Sequence, residues 1–377
     1  MNIIGFNTKN FANIGPIFLL AFIFWTCSSR ISSLRQNEWT AEAQDTLRLE
    51  GEKHLKNIRQ LTFGGNNAEA YWSFDGKKLS FQSDNPAWGN NCDQIYYLDV
   101  LKDDLRDKPA HLISVEKGRN TCSFFMPGDR SIIFASTLHS GSSCPLVPER
   151  KPGGKYVWPV YNSYEIYIAD LKGKVTRQIT SNNFYDAEAT VSPKKDKIVY
   201  TSDKSGDLEL YVCDLDGKNE VQVTRELGYD GGAFFSPDGK KLVFRASRPK
   251  TEEEIREYRE LLAKGLVQPT NMEIFTVNVD GTGLKQITHL GKANWAPYFL
   301  PSGDKIIFSS NHKSNRGYEF NLYMIGVDGT GLEQVTFDKV FASFPMFSPD
   351  GKKIAFSSNR FNHGTHDTNI FVADWVD

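Results

Sequence analysis

Three histidines carry the plainest candidate chemistry in this 377-residue chain. His363 and His366 frame Gly364-Thr365 and stand beside Asp367, and His312 lies in the matching stretch one repeat earlier. Imidazole nitrogens with a carboxylate are a donor set for zinc and other divalent transition metals. Gathered on one ion, they would make a metal-dependent lyase or hydrolase acting on a carbohydrate or peptide. Read as solvated loop polarity instead, they require no cofactor.

The five cysteines come next. Cys27 stands one residue beyond an apolar stretch, Ile14 to Trp25, with Lys9 before it. That length is short for a membrane span and ordinary for a signal-peptide core. The arrangement resembles a bacterial lipoprotein signal, with residues 1–27 as leader and Cys27 as the lipidation candidate. It places the chain in the periplasm or cell envelope, lipid-anchored or otherwise secreted. Cys213 sits in an apolar strand pattern and reads as a buried apolar residue. Cys92, Cys122 and Cys144 remain, and in an oxidising compartment two of them should pair. Cys92 with Cys144 is the favoured pair, since both lie in loops free to meet.

A third set recurs at fixed spacing. Asn67, Asn120, Asp186, Asp230, Asn294 and Ala342 each stand six residues before a turn, and Glu69, Cys122, Glu188, Gly232, Ala296 and Phe344 stand two residues further on. Such a ring either caps strand starts by bonding to backbone or forms an axial site for a cation or polar ligand.

The turn that sets this spacing is written most clearly as Ser236-Pro237-Asp238-Gly239-Lys240-Lys241 and Ser348-Pro349-Asp350-Gly351-Lys352-Lys353. Pro presets φ at the first corner, Asp bonds back to backbone, and Gly takes the φ > 0 position. Degenerate copies begin at Ser73, Met126, Ser192 and Leu300, at steps of 44 to 66 residues. Downstream of each copy runs a strand such as Ile166-Tyr167-Ile168-Ala169-Asp170. A short strand with a Gln-apolar-Thr ending follows, as in Gln178-Ile179-Thr180 or Gln286-Ile287-Thr288. Runs rich in β-branched and aromatic residues, bounded by Gly, Asp and Asn, read as strand. The last unit lacks its Gln-apolar-Thr strand, while a spare one, Arg59-Gln60-Leu61-Thr62, precedes the first. A linear array would expose strand edges at both ends. The expectation is therefore an all-β, six-bladed propeller in which the N-terminal strand completes the last blade. Residues 28–53 are expected to be a tether and 54–377 the ring.

The pattern Gln-apolar-Thr, Ser-Pro-Asp-Gly-Lys-Lys, then Ile-Tyr/Phe-Val resembles the TolB-like (PD40, WD40-like) propeller repeats of bacterial envelope proteins. The resemblance spans roughly residues 55–377. It implies a scaffold whose partner is another envelope protein, or its peptide segment, entering the axial mouth. Propeller lyases acting on oligogalacturonate, a related architecture, hold a metal with histidines at such a face, and this gives the metal alternative its form.

Long insertions at 84–93, 137–163, 245–271, 312–319 and 359–368 all fall on the face opposite the Ser-Pro-Asp-Gly turns. Function concentrates in loops set on a rigid frame. Trp88, Asp186, Tyr229, Asp230, Trp295 and His363 are the expected partner contacts, from loop position and residue type. In the fourth repeat, Thr251-Glu252-Glu253-Glu254 is a capping box, and Ile255, Tyr258 and Leu262 follow at helical spacing. This predicts a helix over about 252–264. The net charge of −2 brings no basic excess, which argues against nucleic acid as a partner. No Gly-x-Ser-x-Gly elbow, P-loop or dinucleotide fingerprint is present. The expectation is a monomeric, non-catalytic binding propeller that touches membrane only through its lipid anchor.

Overall fold

The computed structural model describes residues 45–114, 117–148 and 154–377. Cys27 and the leader lie outside the described residues. Six four-stranded antiparallel sheets surround one axis. The innermost strands are Asn67–Trp72, Asn120–Phe125, Asp186–Val191, Asp230–Phe235, Asn294–Phe299 and Ala342–Phe347, for blades one to six. Each sheet is ordered from axis to rim in chain order except blade six, whose outer strand is the N-terminal Leu55–Gln60. It pairs antiparallel with Asn369–Trp375, Leu55 opposite Trp375 and Gln60 opposite Phe371. Among the described residues no helix is long and apolar enough to cross a membrane.

Local chemistry explains the repeat. In the blade-four turn the Ser236 hydroxyl donates to Asp238 Oδ1 at 2.6 Å and accepts from Lys241 N at 2.9 Å. Asp238 also accepts from Lys240 N at 3.1 Å. The Ser348 turn repeats this set. Ser, Asp and Gly thus satisfy the backbone of a corner that has no ladder partner.

The Gln-apolar-Thr ending is a latch. The Thr hydroxyl accepts from a backbone N–H of the neighbouring third strand: Ile166 N to Thr180, Leu210 N to Thr224, Ile274 N to Thr288, Leu322 N to Thr336 and Ile370 N to Thr62, all at 2.8–2.9 Å. Ser114 does the same for Ile95 N at 3.0 Å. The Gln amide folds back on the Thr carbonyl in the copies ending at Thr62, Thr224, Thr288 and Thr336. Outer strands only two residues long are held by these side chains as much as by the ladder.

Each blade also carries one directly opposed aromatic pair between its second and third strands. These are Phe81–Tyr96, Phe134–Tyr167, Tyr200–Tyr211, Phe244–Phe275, Phe308–Tyr323 and Phe356–Phe371. Ring centres lie 5.6–6.3 Å apart. Such cross-strand pairs contribute about 0.2–1 kcal/mol each beyond smaller side chains.

The expected tether is corrected at its C-terminal end. Glu52 and His54 are buried, and Leu47 packs on the core between blades five and six. Glu52 pairs with Arg360 of blade six at 2.6 Å, and the same guanidinium meets Asp338. A carboxylate held by a buried arginine is part of the ring, not of a linker.

The helix α1 spans Glu252–Leu262 and begins with the capping box. Glu254 N donates to Thr251 Oγ1 at 3.2 Å, and Thr251 N donates to Glu254 Oε2 at 3.0 Å. Tyr258 is the buried residue of the helix, and its hydroxyl donates to Asp207 of blade three.

Candidate functional site

Every innermost strand is broken by one bulge. The register shifts after its second residue, and the third residue has a left-handed backbone: Glu69, Cys122, Glu188, Gly232, Ala296 and Phe344, with φ between 48° and 61°. Non-glycine residues seldom adopt this conformation, and a bulge re-aims the side chain it carries. Here six bulges at one level build a tier around the axis, nearer the loop face.

The tier has a charged centre. Glu188 Oε2 accepts from Thr201 Oγ1 at 2.8 Å, from Tyr229 Oη at 2.9 Å and from Gly232 N at 2.9 Å. Its other oxygen meets Arg245 Nη2 in a buried ion pair, and that nitrogen also donates to Tyr229 Oη at 2.7 Å. The Arg245 guanidinium lies 5.2 Å from the Trp158 ring centre. Glycine leaves room for this pair: a Cβ on Gly232 would stand 2.1 Å from Arg245 Nη1 and one on Gly231 2.4 Å from Glu188 Oε2, so either side chain would have to shift. Burial opposes the Arg245 charge, but Glu188, with Tyr229, Glu69 and Cys122 behind it, outweighs burial and raises its pKa. Glu69, across the tier, is pushed upward by burial, and Tyr71 Oη donates to it at 3.4 Å. Burial, then the carboxylates of Glu69 and Glu188, push the Cys122 thiol well above its ordinary value, which disfavours the thiolate there.

The residues six before each turn divide by type. Asn67, Asn120 and Asn294 cap: their amides donate to Gly64 O at 2.8 Å, Lys117 O at 3.4 Å and Met272 O at 2.8 Å. Asp230 instead forms an ion pair with Arg248, and Asp186 accepts from Asn182 Nδ2 at 2.7 Å. The cap account therefore holds for the asparagines, and the two acids are fixed by side chains.

A roof covers the loop-face mouth. Trp158–Pro159 of the blade-two insertion pairs antiparallel with Leu266–Val267 of the blade-four insertion. Lys155 forms an ion pair with Glu257 on α1. Trp158 packs 5.1 Å from Trp295, and an aromatic arc continues through Phe320 at 4.3 Å and on to Phe341 at 5.6 Å. Cys92 and Cys144 are disulfide-bonded, S–S 2.11 Å, which ties the blade-two insertion to blade one.

This geometry corrects most of the expected contacts. Asp186, Tyr229, Asp230 and Trp295 are buried, each at 8 % exposure or less, and so do not present a surface. Trp295 donates its Nε1–H to Pro269 O at 2.8 Å beneath the roof. Trp88 is half-buried, edge-on to Tyr96 at 5.0 Å. Only His363 of the six is exposed. The sequence places all six on the loop side, but the insertions then fold down over them. Among the described residues no three His, Cys, Asp or Glu side chains come together as a metal site, so His312, His363 and His366 do not gather. His312 instead bonds Ser310 at 2.9 Å and packs on Tyr323.

Arg245 escaped the sequence reading, although a signal existed. It is the fifth residue of the second strand, where the other blades carry Gln82, Ala135, Thr201, Ser309 and Ser357. Gln82 accepts from Cys122 N at 3.2 Å and Ser309 donates to Ala342 O at 2.7 Å. In blades one, three and four this position reaches a bulge residue, through Gln82, Thr201 and Arg245, and Arg245 is its charged member.

Six four-stranded blades around a packed axis define a six-bladed β-propeller. The family model described as the TolB beta propeller domain (PD40) matches residues 145–257. Over those residues the chain is similar to that family, and by its sheets the ring is a six-bladed β-propeller. In fold it is similar to TolB from Acinetobacter baumannii: TM-score 0.53, 16% identity, 80% of this chain and 64% of that one. A protein designated TolB from Agrobacterium tumefaciens gives TM-score 0.51 and 21% identity over 83% of this chain and 91% of that one. An oligogalacturonate lyase from Vibrio parahaemolyticus gives 0.51 and 12% over 86% and 94%. At these identities the likeness is one of fold. No curated protein matches the chain in sequence.

Proposed function

We propose that this chain is a non-catalytic binding propeller of the bacterial envelope that holds a protein or peptide partner on its loop face. One observation carries the reading. Of the twelve large apolar side chains exposed among the described residues, eight lie in loop-face connections: Phe63, Leu146, Val147, Tyr156, Phe184, Tyr318, Phe337 and Phe361. Aromatic side chains on rigid loops are the common anchors of protein interfaces. The roof occupies the axial mouth on this side, so the contact is with the loops around it. On the axis Glu188 is paired with the Arg245 guanidinium, and burial pushes the Cys122 thiol up. The disulfide suits an oxidising compartment, and Cys27 as a lipid anchor belongs to the same proposal.

The test is capture from solubilised envelope by the full chain and by a Tyr318→Ser/Phe337→Ser/Phe361→Ser variant. Loss of a specific partner in the variant, with melting unchanged, supports the reading. Equal capture by both proteins removes it.

A further inference from the structure

On the opposite face the axis ends in a blind apolar pocket of about 310 Å³. Its floor is Phe124, Phe234, Tyr298 and Met346, from blades two, four, five and six. Phe234 packs 5.4 Å from Tyr71 and 5.2 Å from Tyr298, so aromatic rings fill the axis beneath it. The rim is the second residue of the repeated turn in five blades: Phe74, Pro193, Pro237, Pro301 and Pro349. The prolines that preset each corner thus also wall a hole.

Among its lining residues one carries a charge. Lys195 is exposed, its Nζ lies 5.0 Å from the Phe74 ring centre, and among the described residues it has no ion pair. An ammonium held over an aromatic face at the lip of an apolar hole matches a ligand that is apolar at its tip and anionic beside it. The volume is near the lower end for ligand sites and suits one large side chain with its backbone. A blind hole on the axis, ringed by turns, admits a chain end more readily than a strand passing through.

We propose that this pocket binds the C-terminus of a partner peptide, with an aromatic last side chain on the floor and its free carboxylate at Lys195. The site is distinct from the loop face, and neither depends on the other.

Fluorescence polarisation with a labelled octapeptide ending in Ala-Phe tests it, at neutral pH and low salt. The free acid is expected to bind saturably. Amidating its C-terminus, replacing Phe by Ser, or using the Lys195→Glu protein is expected to weaken binding about tenfold or more, the loss of one charge-assisted contact or of the buried ring. Lys195 is a surface residue in a turn with φ 63°, and Lys195→Gly, which favours that backbone, guards against a folding defect. It should weaken the acid and leave the amide unchanged. No saturable binding of the acid, or binding indifferent to both amidation and Lys195→Glu, overturns the proposal.

Discussion

Tyr71 of blade one and Phe234 of blade four meet edge to face across the axis, with ring centres 5.4 Å apart and planes at 67°. Blades one and four stand opposite in the ring, so this contact joins elements 163 residues apart in sequence. It also separates the polar tier of Glu69, Glu188 and Arg245 from the apolar pocket on the turn face.

Phe234→Ala should therefore cost about 3–5 kcal/mol, the usual range for truncating a buried aromatic. A double-mutant cycle with Tyr71→Ala should leave a coupling of about 0.5–1.5 kcal/mol. Chemical denaturation of the four proteins measures both. Additive losses would mean that the rings fill space independently.

At the seam between blades three and four, Asp230 stands where Asn67, Asn120 and Asn294 carry amides. Asn120 donates to Gln94 at 3.0 Å at one seam, and Asn294 donates to Glu273 at 3.0 Å at another. Here Glu209 faces Asp230, and Glu209 Oε2 is buried without a hydrogen-bond partner. Burial, then the Asp230 charge, pushes Glu209 up to about 8 from an ordinary 4.5. The folded state therefore keeps a proton that the unfolded chain gives up. Stability is greatest below about 4.5 with respect to this group, and it falls as pH rises from there to about 8. Glu209→Gln should flatten that fall and raise the melting temperature at pH 8, read from melts across pH 5–9. A variant with the parent's pH profile would assign the proton elsewhere.

Arg360 closes the ring chemically as Leu55–Gln60 closes it by pairing. Its side chain is 1% exposed, between Glu52 and Asp338 at 0% and 2%. Arg360→Met leaves two buried carboxylates uncompensated and should cost about 3–5 kcal/mol. Adding Glu52→Gln and Asp338→Asn should restore most of that. Urea unfolding gives the comparison, and a triple variant no better than the single one would contradict the account.

The Cys92–Cys144 bond spans 52 residues and should contribute about 2–4 kcal/mol by restricting the unfolded chain. Reductant should lower the melting temperature of the parent and leave Cys92→Ser/Cys144→Ser unaffected. Burial raises Cys213 to about 12 and pushes Cys122 well above the ordinary thiol value, so neither should react with iodoacetamide until the chain unfolds. Mass spectrometry of the alkylated native protein decides this.

The ring was legible because its causes are local and repeated. Ser-Pro-Asp-Gly satisfies its own corner, Gln-apolar-Thr latches its own neighbour, and the capping box of α1 lies within four residues. Each is a short-range bond that residue order alone specifies, and the spare strand at Arg59-Gln60-Leu61-Thr62 forces closure because open edges are costly. Residues 84–93 and 137–163 could be placed on one face by strand count, and Cys92 and Cys144 meet there. What tertiary structure decided is where the insertions go next. The pairing of Trp158–Pro159 with Leu266–Val267 joins segments over 100 residues apart and buries Trp295, Tyr229 and Asp230. Likewise Arg245, the Tyr71–Phe234 contact and the turn-face pocket arise only when six blades share one axis. Repetition along the chain encodes the blade, whereas the axis is made of contacts between blades, each with a partner that no local pattern names.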